Sequence, residues 1–229
     1  VKLAKKLTRG LSGFVNAILR SVIREQDSIG IEDLAANDIE AISFIYNIPL
    51  WLINLWISEF GRDKTEDLCA WFNEQPKLTA RINTILIDIP QCLTMLNEQG
   101  WSVTQDSNYE DIIYINSHRG SLEKSEAFIK GYITFMDKAS MLVARLVNPQ
   151  PGERILDCCA APGGKSMYMA TLMDNVGSLM SCDIHEHKIE LMNSNAERLG
   201  ASIVHTKVQD ATKLPDSWNS YFDRVLVDA

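Results

Sequence analysis

From residue 153 to the end, short apolar runs alternate with helical segments, and this alternation constrains the fold more than any other feature. Strands are predicted for ERILDC, SLMSCD, SIVHTKV and RVLVDA, at 153–158, 178–183, 202–208 and 224–229. Helices are predicted from Gly164 and over 186–199. Wholly apolar strands separated by helices are typical of a parallel sheet that is covered on both faces. The sequence therefore predicts a doubly wound α/β domain here.

The preceding segment, 76–135, has a different order of predicted elements. Strands are predicted over 81–87, 101–105, 111–116 and 132–135, and helices over 90–100 and 121–131. Ser121 is the expected N-cap of the second helix. The order β-α-β-β-α-β is that of a ferredoxin-like split unit. Such α+β units often bind RNA, although a fold alone does not establish function.

Two amphipathic helices are predicted upstream, over 11–24 and 49–60. In the second helix the expected core stripe consists of Leu52, Leu55, Trp56 and Phe60. Charge is distributed unevenly over this part of the chain. Residues 1–30 carry six basic and two acidic groups, a net of +4, within a protein of net charge −8. This basic segment is either a solvated helix face or a contact for RNA phosphates.

The five cysteines include no CxxC pair, and none of the four histidines has metal-ligand spacing to them. This usage predicts a reducing, cytoplasmic protein without disulfides or a zinc site. No apolar run reaches the ~20 residues that a membrane span needs, and no signal peptide is visible. Membrane and metal partners are therefore not expected.

The stretch ILDCCAAPGGKS (155–166) ends the first parallel strand and begins the next helix. Its GKS at 164–166 fits the end of a phosphate-binding loop, G-x-x-x-x-G-K-[ST]. That pattern requires glycine where Cys159 stands, and Pro162 lacks the N–H group that such a loop directs at phosphate. The match to a phosphate-binding loop is therefore incomplete.

A nucleoside cofactor at the first strand–helix turn explains the same stretch better. Gly163 and Gly164 allow close approach of the backbone to a ligand. Asp183 follows Gly164 by 19 residues (183 − 164), close to the ~20 expected for an acid that binds ribose hydroxyls. Asp210 and Asp228 follow the next two strands. We expect this acidic edge to repel a triphosphate and to admit a cationic, adenosine-bearing cofactor, as S-adenosylmethionine is.

DCCAAPGGKS resembles the cofactor loop of the RNA (cytosine-5)-methyltransferases of the Sun/Fmu group. GFVNAILR is similar to the last helix of their all-helical, antitermination-factor-like domain. Their middle module contains segments similar to PLWLINLWISEFG and LTARINT. The lead-in to their catalytic domain is similar to GYITFMDKAS and NPQPGERILD. The helical start is typical of the methyltransferase B branch, which acts on bacterial 16S ribosomal RNA.

The resemblance implies a Rossmann-like class I S-adenosylmethionine-dependent methyltransferase fold, here truncated after its fourth strand. The implied domains are the end of an all-helical RNA-binding domain (1–45), an α+β RNA-binding module (46–130) and the first part of the methyltransferase domain (131–229). The cofactor loop would comprise Cys159, Ala160, Ala161, Pro162, Gly163, Gly164 and Lys165. Asp183 would hold the ribose, Asp210 would lie by the adenine, and Asp228 would lie between cofactor and target base.

The implied reaction is methyl transfer to C5 of a cytosine in small-subunit ribosomal RNA, through a cysteine–C6 adduct. In the family the strand ending in Asp-Ala continues into Pro-Cys, so the nucleophile is expected beyond Ala229, and we assign no catalytic residue within the chain. The chain alone is accordingly expected to be inactive. The expected partner is 16S ribosomal RNA, free or in an early small-subunit particle, and the full-length protein is expected to be a monomer. Two alternatives stay open, a P-loop-type nucleotide-binding protein and a non-catalytic RNA-binding module.

Overall fold

The computed structural model describes residues 4–5, 10–25 and 39–229. It divides the chain into two compact units, 1–75 and 76–229. The division into 1–45, 46–130 and 131–229 stays a prediction. Three of the six basic residues of the segment 1–30 lie outside the described residues, Lys2, Lys6 and Arg9.

The described part of the first unit is helical. Its helices are α1 (Ser12–Glu25), α2 (Ile39–Tyr46), α3 (Leu50–Phe60) and α4 (Arg62–Asn73). Ile42, Ile53 and Cys69 form the buried core of helices α2 to α4. The predicted stripe of α3 is wrong at Leu55 and Phe60, which are exposed. The face that packs is Ile53 with the half-buried Trp56 and Ile57, a spacing of three and four residues on one side of the helix.

The ferredoxin-like module begins the second unit. Its strands are β1 (Thr79–Ile82), β2 (Ser102–Gln105), β3 (Ile112–Ser117) and β4 (Ile133–Phe135), and its helices are α5 (Ile89–Glu98) and α6 (Glu126–Ile129). The strands pair antiparallel in the order β2-β3-β1-β4. Sheet and helices enclose one core, which includes Ile82, Leu96 and Ile113. The predicted β-α-β-β-α-β order is confirmed.

Two predicted elements of this module are wrong in detail. The first strand ends at Ile82 and does not run to residue 87. Asn83 is fully buried, and its side-chain amide donates to the carbonyls of Gly131 and Leu199 at 3.0 and 2.8 Å. Its own carbonyl accepts the Leu86 N–H at 3.0 Å. These bonds turn the chain after Asn83.

The predicted helix over 121–131 is also divided. A 3-10 turn over Leu122–Lys124 precedes the short helix α6. Ser121 makes no side-chain capping bond. Ser125 is the N-cap, because its hydroxyl accepts the Phe128 N–H at 3.3 Å. Ser125 also donates to the Leu122 carbonyl at 2.6 Å, which separates the two turns.

The rest of the second unit is the predicted α/β domain. After helix α7 (Lys138–Val147) come β5 (Arg154–Asp157), α8 (Gly164–Leu172), β6 (Ser178–Asp183), α9 (Glu186–Leu199), β7 (Val204–Val208) and β8 (Arg224–Leu226). The four strands are parallel, in the order β7-β6-β5-β8. Strand β7 begins two residues later than predicted, and β8 ends three residues earlier.

Both sides of this sheet are covered. One core contains Ile155 and Leu179 of the strands together with Met141, Tyr168 and Leu199 of the three helices. A second, smaller cluster joins Leu156, Cys158 and Cys182 to the half-buried rings of Trp218 and Phe222. Wholly apolar central strands were the sequence signal for this arrangement.

The ferredoxin-like module packs on the α/β domain through the sheet face that α5 and α6 leave open. Ile112 of β3 belongs to the α/β core. The buried Arg81 of β1 donates to the Thr171 hydroxyl at 3.1 Å, and its guanidinium lies 5.0 Å from the Tyr168 ring. Asp111 accepts hydrogen bonds from Arg145 and from the Tyr168 hydroxyl. Since Tyr168 and Thr171 lie on α8, the module supports the helix that follows the glycine turn.

Candidate functional site

The parallel strands bring the predicted site segments to one edge of the sheet. Asp183 is the last residue of β6, and the loop 158–163 follows β5. Asp210 and Asp228 each lie two residues past the end of their strands, β7 and β8. In the strand order β7-β6-β5-β8, the edge therefore carries Asp210, Asp183, the loop and Asp228 in sequence. Ligands of doubly wound sheets bind at this carboxyl edge.

The loop between β5 and α8 is held to both neighbouring strands. The Cys158 N–H donates to the Leu226 carbonyl of β8 at 2.9 Å, and the Ala160 N–H donates to the Cys182 carbonyl of β6 at 2.7 Å. A cis peptide joins Ala161 to Pro162. These bonds fix the loop across the middle of the sheet edge.

Gly163 makes the turn into α8. Its φ of +97° is in the left-handed region, and a Cβ there would lie 3.0 Å from Met167 Cε and 3.4 Å from Met192 Cγ. Both the backbone conformation and the close packing therefore require glycine. Gly164 begins α8, so the first-turn amides of this helix face the edge without intrahelical acceptors.

The loop amides argue against a phosphate-binding loop. The N–H groups of Cys158 and Ala160 are used by neighbouring strands, and that of Gly163 donates to the Ala160 carbonyl at 2.7 Å. The Cys159 N–H interacts with the Asp157 carboxyl and lowers its pKa. Pro162 has no N–H. A phosphate-binding loop needs these groups free and directed at one point.

The strand-end acids are paired with lysines. The Asp183 carboxylate accepts the His185 N–H at 2.9 Å through Oδ1, and its Oδ2 lies 3.7 Å from Lys188 Nζ. Asp210 accepts two hydrogen bonds from Thr212, which hold the pKa of the Asp210 carboxyl below its usual value. Lys213 Nζ lies 3.5 Å from Asp210.

The third acid, Asp228, lies 2.5 Å from Lys165 Nζ. Three lysines therefore balance the three acids at this edge. The expectation that this acidic edge repels a triphosphate stays a prediction.

Asp157, the last residue of β5, is a site residue that the sequence reasoning did not assign. Its side chain is buried, and its Oδ2 accepts the Ser166 hydroxyl at 2.7 Å. Burial raises the pKa of the Asp157 carboxyl to about 6, although the hydroxyl of Ser166 and the Cys159 N–H lower it. The signal was available, because the criterion of an acid at a strand end that selected Asp183 selects Asp157 as well.

The cysteines near the edge are poor nucleophiles. Burial raises the pKa of the Cys158 thiol, and it raises that of Cys182 to about 12. Cys69 and Cys92, which precede the α/β domain in the sequence, are also buried and have raised pKa values. Cys159 is half-buried within the loop. A thiolate is the reactive form, so four of the five thiols are held in the unreactive form.

Among the described residues, no group of three or more His, Cys, Asp or Glu side chains is arranged to hold a metal ion. Within the same ranges, no single helix has the length and apolar character to cross a membrane; the pair α2 and α3 meets those criteria only together, with a bend of 118° between them.

Two family descriptions match the chain over most of its length. Residues 144–229 match the 16S rRNA methyltransferase RsmB/F family, and residues 48–120 match the ferredoxin-like domain of RsmF/B-like methyltransferases. The first match includes all four strands of the parallel sheet, and the second includes α3, α4 and strands β1 to β3 of the antiparallel sheet. The chain belongs to the RsmB/F methyltransferase family.

Relatives of the RsmB/F family agree with this assignment. The chain is 36% identical over 222 residues to the probable ribosomal RNA small subunit methyltransferase B of Bacillus subtilis (strain 168), covering 96% of this chain and 49% of the relative. It is 33% identical over 210 residues to the corresponding probable enzyme of Synechocystis sp., covering 90% and 46%. The chain thus spans about half the length of the curated relatives that it matches.

Solved structures share the fold. The crystal structure of PH0851 superimposes with a TM-score of 0.72 at 30% identity, over 79% of this chain and 40% of that one. A methyltransferase homologue from Pyrococcus horikoshii gives a TM-score of 0.71 at 21% identity, over 77% and 58%. The predicted fold, a Rossmann-like methyltransferase domain preceded by a ferredoxin-like module, is confirmed.

Proposed function

We propose that this chain is the cofactor-binding part of an S-adenosylmethionine-dependent methyltransferase that acts on C5 of a cytosine in small-subunit ribosomal RNA. The observation that carries the proposal is the glycine turn between β5 and α8, flanked on the adjacent strands by Asp183 and Asp228. Family membership supports the reaction class, and the relatives' names support the ribosomal RNA substrate.

The side chains at the edge fit such a cofactor. Within the described part of the chain, Asp183 Oδ2 accepts no hydrogen bond and lies 3.7 Å from Lys188 Nζ, so it can accept ribose hydroxyls. The first-turn amides of α8 suit a carboxylate. Asp210 follows the neighbouring strand β7, and we propose that the adenine lies beside it. S-adenosylmethionine supplies an electrophilic methyl group on its sulfonium, while the chain's residues hold and orient it.

Methylation at cytosine C5 needs a thiolate that adds at C6, because this addition makes C5 nucleophilic. Four of the five cysteines have pKa values raised by burial, Cys69, Cys92, Cys158 and Cys182. The half-buried Cys159 belongs to the loop that we assign to the cofactor. We therefore propose that none of these five thiols is the nucleophile.

Isothermal calorimetry of the purified protein with S-adenosylmethionine and with ATP–Mg²⁺ tests the cofactor. We expect the protein to bind S-adenosylmethionine. Asp183→Ala should lose about 2 kcal/mol of binding free energy, because hydrogen bonds to a charged acceptor contribute about that much. Asp88→Ala, which removes an exposed aspartate of the ferredoxin-like module, is the matched control. Tight ATP–Mg²⁺ binding that needs Lys165, with no response to S-adenosylmethionine, would instead favour the P-loop alternative.

Ribosomal RNA is the proposed partner, with the basic segment 1–30 binding its phosphates. Changing Lys5, Lys6 and Arg9 to Ala should weaken RNA binding and flatten its salt dependence, by roughly 0.7–0.9 in slope for each phosphate that is no longer neutralised. An unchanged slope would identify the segment as a solvated face. The monomeric state and the cytoplasmic location stay predictions.

A non-catalytic RNA-binding module is the remaining alternative. It would bind RNA through the ferredoxin-like unit and the basic segment 1–30 and would not bind S-adenosylmethionine. The calorimetric titration distinguishes the two functions directly, because only the methyltransferase needs the edge of the parallel sheet.

A further inference from the structure

Both ends of the cofactor loop converge on one buried carboxylate. Asp157 at the end of β5 is 1% exposed. At the start of the loop, the backbone N–H of Cys159 favours the charged form of this carboxylate and lowers its pKa. At its end, the hydroxyl of Ser166 in the first turn of α8 donates to Asp157 Oδ2 at 2.7 Å. The loop is thus closed at its base by a single carboxylate.

A second hydroxyl extends this network into β6. The Ser181 hydroxyl donates to Ser166 Oγ at 2.8 Å, and both serines are fully buried. Ser181 precedes Asp183 by two residues in the same strand, so the two side chains point to the same face. The network therefore connects the loop, the helix start and the strand that carries Asp183.

We propose that Asp157 is a positioning residue, whose charged carboxylate holds the loop 158–165 in the shape that binds the cofactor. The proposal rests on the proposed function, since it assigns the control of affinity at that same site. Asp157 does not contact the ligand in this role. It acts through Ser166 and the Cys159 amide.

The Asp157 carboxyl changes its charge within an accessible range of pH. Burial raises its pKa to about 6, and the hydrogen bond from Ser166 opposes that rise. Lys165 on α8 favours the charged form, and Asp228 beyond β8 disfavours it. The buried thiols of Cys158 and Cys182 are also near enough for the charge of Asp157 to raise their pKa values. A protonated carboxyl accepts hydrogen bonds more weakly, so the loop is held less firmly below about pH 6.

The direct test is S-adenosylmethionine affinity between pH 5 and 8 by calorimetry. For the native protein we expect about fivefold weaker binding at pH 5 than at pH 8, because about a tenth of Asp157 is then charged and the protonated form should bind about as weakly as Asp157→Asn does. Asp157→Asn should bind roughly tenfold more weakly at pH 8 and lose this pH dependence. Any contribution from His185 and His187, which follow β6, is common to both proteins and cancels in the comparison.

Two further variants sharpen the test. Ser166→Ala keeps the carboxylate but removes a bond that lowers its pKa, so the midpoint of the pH curve should rise by about one unit. This variant also carries the test if Asp157→Asn does not fold. Asp174→Asn makes the same charge change at the exposed far end of α8, where φ is +52° and asparagine is tolerated, and it should bind as the native protein does.

The outcomes separate the two proposals. Native affinity and an unchanged pH curve in both Asp157→Asn and Ser166→Ala would overturn the positioning role and leave the cofactor assignment standing. A native protein that does not bind S-adenosylmethionine at any pH would overturn the proposed function, and the positioning role with it. If Asp174→Asn loses as much affinity for S-adenosylmethionine as Asp157→Asn does, the effect comes from net charge and not from the position of Asp157, and the positioning role is overturned.

Discussion

The ammonium of Lys165 lies 2.5 Å from the carboxylate of Asp228, so the lysine of the glycine loop is paired with the acid beyond β8. In the sequence these residues are separated by most of the α/β domain. The parallel pairing of β5 with β8 brings them together. A lysine engaged in this way restrains the start of α8 and partly neutralises Asp228.

This pair should show modest but measurable coupling. Lys165 and Asp228 are 26% and 41% exposed, and partly exposed ion pairs contribute about 0.2–1 kcal/mol. We expect Lys165→Met and Asp228→Asn each to lower the free energy of unfolding by less than about 1 kcal/mol, and the double variant to be less destabilised than the sum. A double-mutant cycle by urea unfolding measures the coupling. Strict additivity would contradict the pairing.

The Tyr168 hydroxyl is the second test of how α8 is held. It accepts from Arg145 Nε at 2.6 Å and donates to Asp111 Oδ2 at 2.7 Å, and the ring is fully buried. Tyr168→Phe should therefore lower the free energy of unfolding by about 1–3 kcal/mol, because two charged groups lose a buried partner. Tyr221→Phe, at a side chain that is 46% exposed, should change it by less than about 0.5 kcal/mol.

Equal effects of these two tyrosine variants would contradict the contact between module and helix. Urea unfolding followed by circular dichroism gives both values under identical conditions.

Gly131 tests the packing between the ferredoxin-like module and α9. Its φ is +72°, and a Cβ would lie 2.0 Å from the Arg198 carbonyl oxygen. Gly120 has a similar φ of +76°, but nothing lies within 4 Å of its Cβ position. Gly120→Ala should lower the free energy of unfolding by about 1–2 kcal/mol, because of the backbone conformation alone. Gly131→Ala should lower the free energy of unfolding clearly more, since backbone atoms must move. Thermal unfolding of both variants measures the difference.

The alternation of apolar strands and helices predicted the α/β elements to within about three residues, because wholly buried strands have a distinctive composition. The turn at Asn83 could not be predicted in the same way. Its side chain is held by the carbonyls of Gly131 and Leu199, 48 and 116 residues away, and no local pattern contains that information. The tertiary partners override the strand propensity of the sequence INTILI.

The candidate site also combines features that local sequence patterns predict with features that depend on tertiary contacts. The glycine turn and the acids at strand ends are local signals, and the sheet brings them to one edge. The pairing of Lys165 with Asp228 depends on strand order. The burial of Asp157 with Ser166 and Ser181 depends on the packing of α8 against β6, and its electrostatic consequence is therefore visible only in three dimensions.

The last prediction is that Asp157 destabilises the folded protein at neutral pH. Its pKa is raised from 3.8 to about 6, so between these values the folded protein binds more protons than the unfolded chain. The protonated form of Asp157 therefore stabilises the folded protein. This contribution is complete below about pH 4 and is lost as pH rises through about 6, which lowers the free energy of unfolding by about 3 kcal/mol in total. In Asp157→Asn this loss should be absent, so the variant should be the more stable protein at pH 7. Urea unfolding of both proteins at pH 4, 5, 6 and 7 measures the difference, and a difference that is independent of pH would contradict the raised pKa. Together with weaker cofactor binding, greater stability of Asp157→Asn would mean that the charge serves the site and not the fold.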